Sequence, residues 1–283
     1  MAIKISNLCK EYKEFCLEDI NMYLPKGYIM GLVGKNGAGK STTIRSILNM
    51  QSFNGKILVN GWDNRKEEIK IKQTIGAVVD YPFFPVVFTL EQVEKYIGHL
   101  YCNWDKEKYY QLLKKFGLSA KKKVGELSRG MGVKLQLAVA LSHHARILIL
   151  DEPTSGLDPV ARDELMDILM DYMQDGENSI LFSTHICSDL EKIADYITIL
   201  CDGKVFYSGE KEQLLEQYLI LKGDDRKVTE EQQKKLIGMR KYGDGFDAMI
   251  HKNDFGLFQT KDFVIESAKI DEILIYAERG TRA

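Results

Sequence analysis

Residues 34 to 41 read Gly34-Lys35-Asn36-Gly37-Ala38-Gly39-Lys40-Ser41, a complete G-x-x-x-x-G-K-[ST] motif. The apolar run at residues 28–33 is typical of a buried strand, and residues 42–48 follow the motif with helical spacing. A glycine-rich turn in another setting would bind nothing, but between a strand and a helix this pattern indicates a phosphate-binding loop. The sequence therefore predicts that the chain binds a nucleoside triphosphate.

The physical chemistry of the motif is specific to phosphate. A triphosphate is a dense anion, and glycines allow the backbone to curl so that successive N–H groups point at it. The helix that follows adds the positive end of its dipole. Lys40 can reach the β- and γ-phosphates, and the hydroxyl of Ser41 can ligate Mg²⁺. This pattern predicts a nucleoside triphosphate and Mg²⁺ as the ligands.

Composition narrows the class of protein. The 283 residues are 45% hydrophobic and 28% charged, as in ordinary globular proteins, and the net charge of −2 gives no electrostatic basis for binding nucleic acid. No apolar run approaches the roughly 18 residues that cross a bilayer.

The five cysteines are odd in number and lack C-x-x-C spacing, so we expect free thiols. The adjacent His143 and His144 diverge on a helix and are interpreted as structural or surface residues.

Short apolar strands alternate with helical segments through most of the chain, which predicts an α/β fold with a mainly parallel sheet. The predicted strands cover residues 3–5, 18–24, 28–33, 55–61, 75–79, 147–150, 179–183, 196–200 and 205–207. Residues 89–140 read as mostly helical, with Leu90, Val93, Tyr96, Ile97 and Leu100 along one face. The turn at Asp202-Gly203 predicts a hairpin.

The pattern of residues changes after about residue 220. Residues 222–227 are a charged break, and Thr229 to Gln232 form a capping box that opens a short helix. A final helix is predicted over residues 267–277. We therefore predict a nucleotide-binding domain at residues 1–220, with a helical subdomain inserted at about 85–140, and an accessory extension at 221–283.

A second group of polar residues follows later strands. Asp151 ends an apolar strand and suits Mg²⁺ coordination, and Glu152 is placed to polarise an attacking water. Two acids at a strand end could also be mere surface residues, but the phosphate loop favours the catalytic interpretation. Ser128 opens a helix and is first of all a candidate N-cap.

The order of these motifs resembles the ATP-binding-cassette (ABC) ATPases. The likeness covers residues 1–220 and is most specific at residues 150–159, which read Leu-Asp-Glu-Pro-Thr-Ser-Gly-Leu-Asp-Pro, followed by Ser183-Thr184-His185. It implies a P-loop NTPase (RecA-like) core, an antiparallel N-terminal β subdomain, the inserted helical subdomain and a small α+β extension. It also implies that ATP lies between two cassettes, because the serine-led signature helix completes the site of the other subunit.

The resemblance assigns roles residue by residue. Glu152 would be the general base, His185 the switch histidine, and Asp158 part of the loop that touches the partner cassette. Asp151, with Ser41, would hold Mg²⁺. A histidine satisfied at a strand end is the alternative for His185. The residues implied to bind nucleotide are Tyr12, which would stack on adenine, Gly34, Lys35, Asn36, Gly37, Ala38, Gly39, Lys40, Ser41, Thr42, and the signature residues Ser128, Arg129, Gly130 and Met131.

Two departures from the family pattern stand out. Arg129 and Met131 replace a glycine and a glutamine in the usual Leu-Ser-Gly-Gly-Gln signature, while Ser128 and Gly130 are kept. Asp80 stands where the family usually has a glutamine, and its carboxylate is a possible metal ligand.

These departures, and the ending at residues 270–276, resemble the ABC-2 type exporters. The resemblance implies a bacterial ATPase subunit, peripheral on the cytoplasmic face of the membrane, that drives separate permease subunits and exports peptides or antibiotics. The permease would dock from about Asp80 to Leu100, where residues 81–88 are apolar and aromatic; the alternative is that this run packs inside the subdomain. A soluble cassette acting on ribosomes or DNA, and an importer subunit, are the other possibilities.

Overall fold

A computed structural model describes residues 1–79, 84–243 and 245–280. The strands are β1 (Ile3–Glu11), β2 (Cys16–Leu24), β3 (Ile29–Val33), β4 (Asn54–Val59), β5 (Trp62–Asp63), β6 (Ile75–Val78), β7 (Ile147–Asp151), β8 (Ser179–Thr184), β9 (Tyr196–Cys201), β10 (Lys204–Glu210), β11 (Tyr218–Asp224), β12 (Ile237–Tyr242), β13 (Gly245–His251) and β14 (Phe263–Ser267). The α-helices are α1 (Lys40–Ile47), α2 (Glu68–Thr74), α3 (Leu90–Ile97), α4 (Lys106–Lys115), α5 (Arg129–Ser142), α6 (Pro159–Met173), α7 (Cys187–Ile193), α8 (Lys211–Gln217), α9 (Glu230–Gln233) and α10 (Ile270–Gly280).

The central sheet has the strand order β10-β9-β3-β8-β7-β6. All its pairs are parallel except β9 with β10, so the predicted mainly parallel sheet is confirmed. Every residue of β3 and β8 is buried, which explains why these strands read as continuous apolar runs rather than alternating ones. The carboxyl ends of β3, β8 and β7 therefore lie side by side at one edge of the sheet.

A second, antiparallel sheet is built from the N-terminal part of the chain, with the order β2-β1-β4-β5. Its buried side chains form one hydrophobic cluster with α1 and with one face of the central sheet. Ile3 and Ile5 from β1, Ile44 and Ile47 from α1, and Met30 from β3 are all in this cluster. The sheet thus holds α1, and the loop before it, against the central sheet. The predicted N-terminal β subdomain is confirmed.

The segment between β6 and β7 is helical, as predicted, and contains α3, α4 and α5. Thr89 and Gln92 form a capping box at the start of α3. The predicted apolar face is only partly correct: Leu90 and Val93 are buried, but Tyr96 and Leu100 are exposed. Leu100 departs because α3 ends at Ile97 and a 3₁₀ turn follows, so the helical periodicity does not continue to residue 100. Tyr96 lies within α3, where its ring packs on Phe88, with 5.2 Å between ring centroids, and stays about half exposed.

The C-terminal extension contains an antiparallel sheet with the order β12-β13-β11-β14 and the helices α9 and α10. The capping box at Thr229 is confirmed. The break predicted at residues 222–227 is wrong in its first half, because Lys222 to Asp224 complete β11, where pairing on both sides outweighs their charge. The last helix starts at Ile270 rather than 267. Its buried residues join the core of the central sheet, so the extension packs on the cassette.

Within the described residues, we find no helix that combines the length and the apolar character needed to cross a bilayer.

Candidate active site

The phosphate-binding motif forms the connection between β3 and α1. Gly37 and Gly39 have φ angles of 85° and 109°, in the left-handed region. A Cβ on Gly39 would lie 2.4 Å from Cδ2 of Leu17, so this position excludes a side chain for reasons of space as well. The first turn of α1 carries no acidic residue, and no side chain caps it. Its N–H groups are therefore available to an anion.

Lys40 is the first residue of α1, and its side chain is only 5% exposed. Its ammonium donates hydrogen bonds to the carbonyl oxygens of Gly34 (2.7 Å) and Lys35 (3.2 Å). The ammonium also lies 3.1 Å from Oε1 of Glu152. That contact lacks the directionality of a hydrogen bond, and Oε1 accepts no hydrogen bond among the described residues, so it is an ion pair. The loop thus presents its lysine to an anionic oxygen.

Asp151 and Glu152 lie at the carboxyl end of β7, and Ser183 of the neighbouring strand β8 orients both. Its hydroxyl donates to Oδ1 of Asp151 at 2.6 Å. The N–H of Glu152 donates to the same hydroxyl at 3.0 Å and to the Ser183 carbonyl at 3.1 Å. Glu152 has a φ of 52°, which is uncommon for a residue with a side chain and is held here by these backbone contacts. Ser183 therefore orients the carboxylate of Asp151 and holds the backbone of Glu152.

His185 follows β8 and completes the group. Its Nδ1 lies 2.5 Å from Oε2 of Glu152. An ionised carboxylate can only accept, so Nδ1 carries the hydrogen of this bond. Glu152 is therefore held by a lysine on one oxygen and a histidine on the other, and the predicted association of Lys40, Glu152 and His185 is present in the structure.

These residues border a cleft of about 600 Å³. Its lining is Glu14, Phe15, Asn36, Gly37, Gly39, Lys40, Ser41, Thr42, Arg129, Glu152, Ser155 and His185. The cleft brings the phosphate loop together with Glu152, after β7, and His185, after β8, and it is also bordered by Arg129 at the start of α5. Its volume is large enough for a nucleotide's phosphates.

Several predicted residues have other contacts in this structure. Ser128 is the N-cap of α5, with its hydroxyl accepting from the N–H of Met131 at 3.4 Å. Asp158 is the N-cap of α6 and accepts from Val160 and Ala161. Met131 is partly buried against the hydrophobic core. Each of these helix ends is thereby defined, and their contribution to nucleotide binding remains a prediction. Asp80 lies outside the described residues.

Tyr12 is largely exposed and does not border the cleft; its hydroxyl donates to Oε1 of Gln51 at 2.7 Å. Phe15 does border it, 6.4 Å from Tyr12 between ring centroids. Phe15 was not predicted as a site residue, although it is a second aromatic side chain only three positions after Tyr12 and precedes the phosphate loop.

Gln136 was also missed. It lies in the buried part of α5, where its side-chain amide pairs with both the N–H (3.0 Å) and the carbonyl (3.1 Å) of Val79. This bidentate contact ties α5 to the chain immediately after β6. A lone glutamine in an apolar helix offered no pattern from which to predict it.

The apolar run near residue 84 is divided between two environments. Phe84 is buried and Phe88 partly buried, whereas Val86 and Val87 are exposed. Residues 81–83 lie outside the described part. A groove of about 450 Å³ lies nearby, with a mostly apolar lining that includes Phe84, Ile97, Leu100, Tyr101 and His143. His143 is buried and stacks on Tyr101, with 3.9 Å between ring centroids, and His144 is exposed, as predicted.

The parallel sheet, the loop between β3 and α1, and the carboxylates at the end of β7 together define a P-loop nucleoside triphosphatase. Comparison with known proteins then narrows this class. A family model described as ABC transporter matches residues 17–155. The chain is 30% identical to the bacitracin transport ATP-binding protein BcrA of Bacillus licheniformis over 96% of its own length and 89% of the relative's.

It is also 33% identical to the lantibiotic transport ATP-binding protein SrtF of Streptococcus pyogenes, over 74% of this chain and 90% of the relative. A solved structure titled as the ATP binding subunit of an ABC transporter superposes with a TM-score of 0.68 and 27% identity, covering 76% of this chain and 92% of that one. The chain therefore belongs to the ABC transporter family, as an ATPase that binds and hydrolyses ATP in support of transport. The resemblance seen in the motifs is confirmed.

Proposed function

We propose that this chain is the ATPase subunit of an exporter of peptide antibiotics, and that it drives separate membrane subunits. The observation that carries this proposal is the extent of the likeness to the bacitracin transport protein, which includes residues beyond 220 and so the C-terminal extension. The likeness to the lantibiotic transport protein covers a smaller share of the chain. Both relatives are named for transport of antibiotic peptides, and neither name indicates import or ribosome binding.

The phosphate loop, residues 34–42, would hold the triphosphate. Lys40 already contacts an anionic oxygen, that of Glu152, at 3.1 Å. A β- or γ-phosphate oxygen is also anionic and can accept a charge-assisted hydrogen bond, so the Lys40 ammonium would bind ATP and release the Glu152 carboxylate. ATP binding would thus prepare the base as well as fix the substrate. Tyr12, or Phe15 beside it, supplies an aromatic face for the adenine ring.

The donors expected for Mg²⁺ fit that ion. Ser41 borders the same cleft as Glu152, and Asp151 is the residue before it. A hydroxyl and a carboxylate are hard oxygen ligands, and Mg²⁺ takes few of them because phosphate oxygens and water fill its remaining positions. The ion would neutralise charge on the phosphates. Asp80 would be a further ligand if its carboxylate reaches the same place.

Hydrolysis requires a base beside the γ-phosphate. Glu152 would accept a proton from the water that attacks phosphorus, and His185, fixed by its 2.5 Å contact to Glu152, would orient the water and the γ-phosphate. The left-handed backbone at Glu152 aims the carboxylate into the cleft rather than along the strand. The bond between the γ-phosphorus and the bridging oxygen breaks, leaving ADP and phosphate.

A complete site would need a second cassette. Among the described signature residues, Arg129 borders the cleft, whereas Ser128, Gly130 and Met131 do not. The N-terminus of α5 is capped by Ser128 and carries no acidic residue in its first turn, so it could receive a phosphate from a partner subunit. Asp158 begins α6 beside this helix end, since a Cβ on Gly130 would lie 3.3 Å from Leu157. The partner cassette would contact both.

The membrane subunits would dock in the 450 Å³ groove near residue 84. The groove is mostly apolar, and Leu100, one of the residues that line it, is exposed. A short helix of the permease, with an apolar end, is the element that fits a groove of this size. Gln136, which pairs with Val79 and also lines the groove, would connect a docked helix to α5.

The test is a deletion in the source organism. Loss of this chain should raise sensitivity to peptide antibiotics of the bacitracin or lantibiotic kind, and the wild-type gene should restore resistance where a Glu152→Gln variant does not. A tagged wild-type chain should co-purify with an integral membrane protein. Capture of ribosomes without a membrane protein would contradict the transporter proposal.

A further inference from the structure

Lys35 lies inside the phosphate loop, but its side chain contacts two later parts of the chain. Its ammonium donates a hydrogen bond to Oε2 of Glu278, on α10, at 2.6 Å, and another to Oδ1 of Asp202, in the turn between β9 and β10. Glu278 is well shielded, with its side chain 12% exposed. An ion pair therefore joins the C-terminal extension to the phosphate loop.

The backbone of Lys35 is part of the machinery that holds Lys40. The Lys35 carbonyl accepts from the Lys40 ammonium at 3.2 Å and from the N–H of Ala38 at 3.1 Å. The carbonyl of Gly34, one residue earlier, accepts from the same ammonium at 2.7 Å. Anchoring the Lys35 side chain thus restrains the two carbonyls that position the phosphate-binding lysine.

Lys35 keeps its charge in this setting. Burial by itself would lower the pKa of Lys35, but its hydrogen bonds to Asp202 and Glu278 outweigh burial, and the pKa is raised. A charge-assisted contact of this kind is stronger than a neutral hydrogen bond.

The helix that carries Glu278 is itself held on two sides. Ile273, Tyr276 and Ala277 are buried in the same core cluster as residues of β9 and α7. On its other side α10 lies against β12, so closely that a Cβ on Gly238 would be 2.2 Å from the carbonyl oxygen of Tyr276. A displacement of the C-terminal sheet would therefore move α10 and with it Glu278.

We propose that Glu278 is a positioning residue for the phosphate loop, through which the C-terminal extension sets the affinity for nucleotide. This inference rests on the phosphate-binding role proposed for residues 34–42. Without the Glu278 carboxylate, Lys35 would keep its contact to Asp202, and the loop would be less ordered before ATP binds. The cost of ordering the loop would then reduce the free energy of ATP binding.

The direction of the effect distinguishes positioning from simple charge. By charge alone, removal of a carboxylate near the phosphate loop would tighten binding of the anionic nucleotide, by an amount that salt reduces. Loss of the anchor would weaken binding instead. We expect Glu278→Gln to raise the Kd for ATP and ADP about 3- to 10-fold, with a matching rise in KM and a kcat at saturating ATP within about twofold of the wild type.

The experiment is a double-mutant cycle measured by calorimetric titration with ATP and with ADP. Lys35→Met should weaken binding by at least the same factor, since it also removes the contact to Asp202. The double variant with Glu278→Gln should be no weaker than Lys35→Met, because that change already removes the contact to Glu278. Glu266→Gln is the matched control: it breaks an ion pair to Lys222 within the C-terminal sheet and should leave the Kd unchanged.

Wild-type affinity in Glu278→Gln, or additive effects in the double variant, would overturn the inference. If Glu278→Gln fails to fold, Glu278→Asp is the substitute, since it keeps the charge but withdraws the carboxylate by one methylene; an unchanged Kd there has the same meaning. Lys40→Ala separates the two proposals. If it abolishes ATP binding while Glu278→Gln binds normally, the phosphate loop stands and only the role of Glu278 is rejected.

Discussion

Glu152 is held between two cations or hydrogen-bond donors in a backbone conformation that side chains rarely adopt. Lys40 lies 3.1 Å from one of its oxygens and His185 is 2.5 Å from the other. Backbone strain of this kind persists only where surrounding contacts impose it, here those of Ser183. The arrangement orients the carboxylate that we propose as the general base.

The replacement Glu152→Gln removes the base and keeps the shape of the side chain. We expect hydrolysis to fall by about 10²- to 10⁴-fold, the range typical of a lost general base, while ATP binding is retained. Since bound ATP is then not consumed, the closed dimer should accumulate. Steady-state phosphate release, ATP titration and size-exclusion chromatography with ATP measure the three effects.

Glu177→Gln is the matched control for this change, because Glu177 is an exposed acid paired with Lys26 on the surface. It should hydrolyse ATP at the wild-type rate. Wild-type turnover in Glu152→Gln would show that another group is the base.

Lys40→Ala tests the phosphate loop itself. The change removes the ammonium that Gly34 and Lys35 position, and we expect the Kd for ATP to rise at least about tenfold, as for loss of a charge-assisted contact to phosphate. Lys26→Ala, on the surface, is the control and should bind ATP normally. Unchanged affinity in Lys40→Ala would remove the loop from the site.

At the scale of elements, helix α5 links three parts of the molecule. Ser128 caps its N-terminus, Gln136 in its middle holds the backbone of Val79, and His143 at its C-terminal end stacks on Tyr101. A shift of this helix would therefore move the signature end and the end of β6 together. We propose that a docked membrane subunit acts on the partner's nucleotide through this helix.

His143 makes the stability of this region depend on pH. Burial lowers its pKa from 6.5 to about 4. The unfolded chain takes up a proton below pH 6.5, whereas the folded chain does not until about pH 4, so stability is complete above pH 6.5 and is lost as the pH falls toward 4. The shift corresponds to a loss on the order of 3 kcal/mol.

The variant His143→Phe keeps an aromatic ring on Tyr101 and cannot be protonated. Denaturant unfolding between pH 7 and pH 4.5 should show a smaller loss of stability for this variant than for the wild type. His144→Asn is the control: residue 144 is exposed and has a φ of 56°, which asparagine tolerates. An equal pH dependence in wild type and His143→Phe would show that other groups cause it.

At the scale of the whole molecule, the site is expected to be shared between two copies. Ser128→Asp keeps a good N-cap on α5 but places a negative charge where the partner's γ-phosphate is proposed to lie. Homodimers of Ser128→Asp and of Lys40→Ala should both be inactive. A mixed dimer has one intact site, formed by the loop of the first variant and the signature helix of the second.

An equal mixture should therefore recover about a quarter of the wild-type ATPase rate, since half of the dimers are mixed and each has one of two sites. The rate of phosphate release in the mixture, compared with each variant alone, measures this recovery. If each chain holds a complete site by itself, the mixture will stay inactive.

The sequence by itself determined the local motifs of this protein. The loop at residues 34–41, the capping box at Thr229 and the Asp202-Gly203 turn depend on neighbours a few residues away, and all have the structure that was predicted. The buried parallel strands were equally clear, because burial on both faces leaves continuous apolar runs. The α/β core and its phosphate site therefore follow from the amino-acid order.

Tertiary structure decided the contacts between distant residues. The pairing of Lys40 with Glu152, the clamp of Gln136 on Val79 and the tie from Lys35 to Glu278 join segments that no periodicity connects. Tertiary structure also decided that Lys222 to Asp224 form part of a strand, because their hydrogen-bonding partners lie on β13 and β14, which follow much later in the sequence. The sequence determined which residues could bind ATP; the packing of β3, β8, β7 and α10 determined which of them hold one another in place.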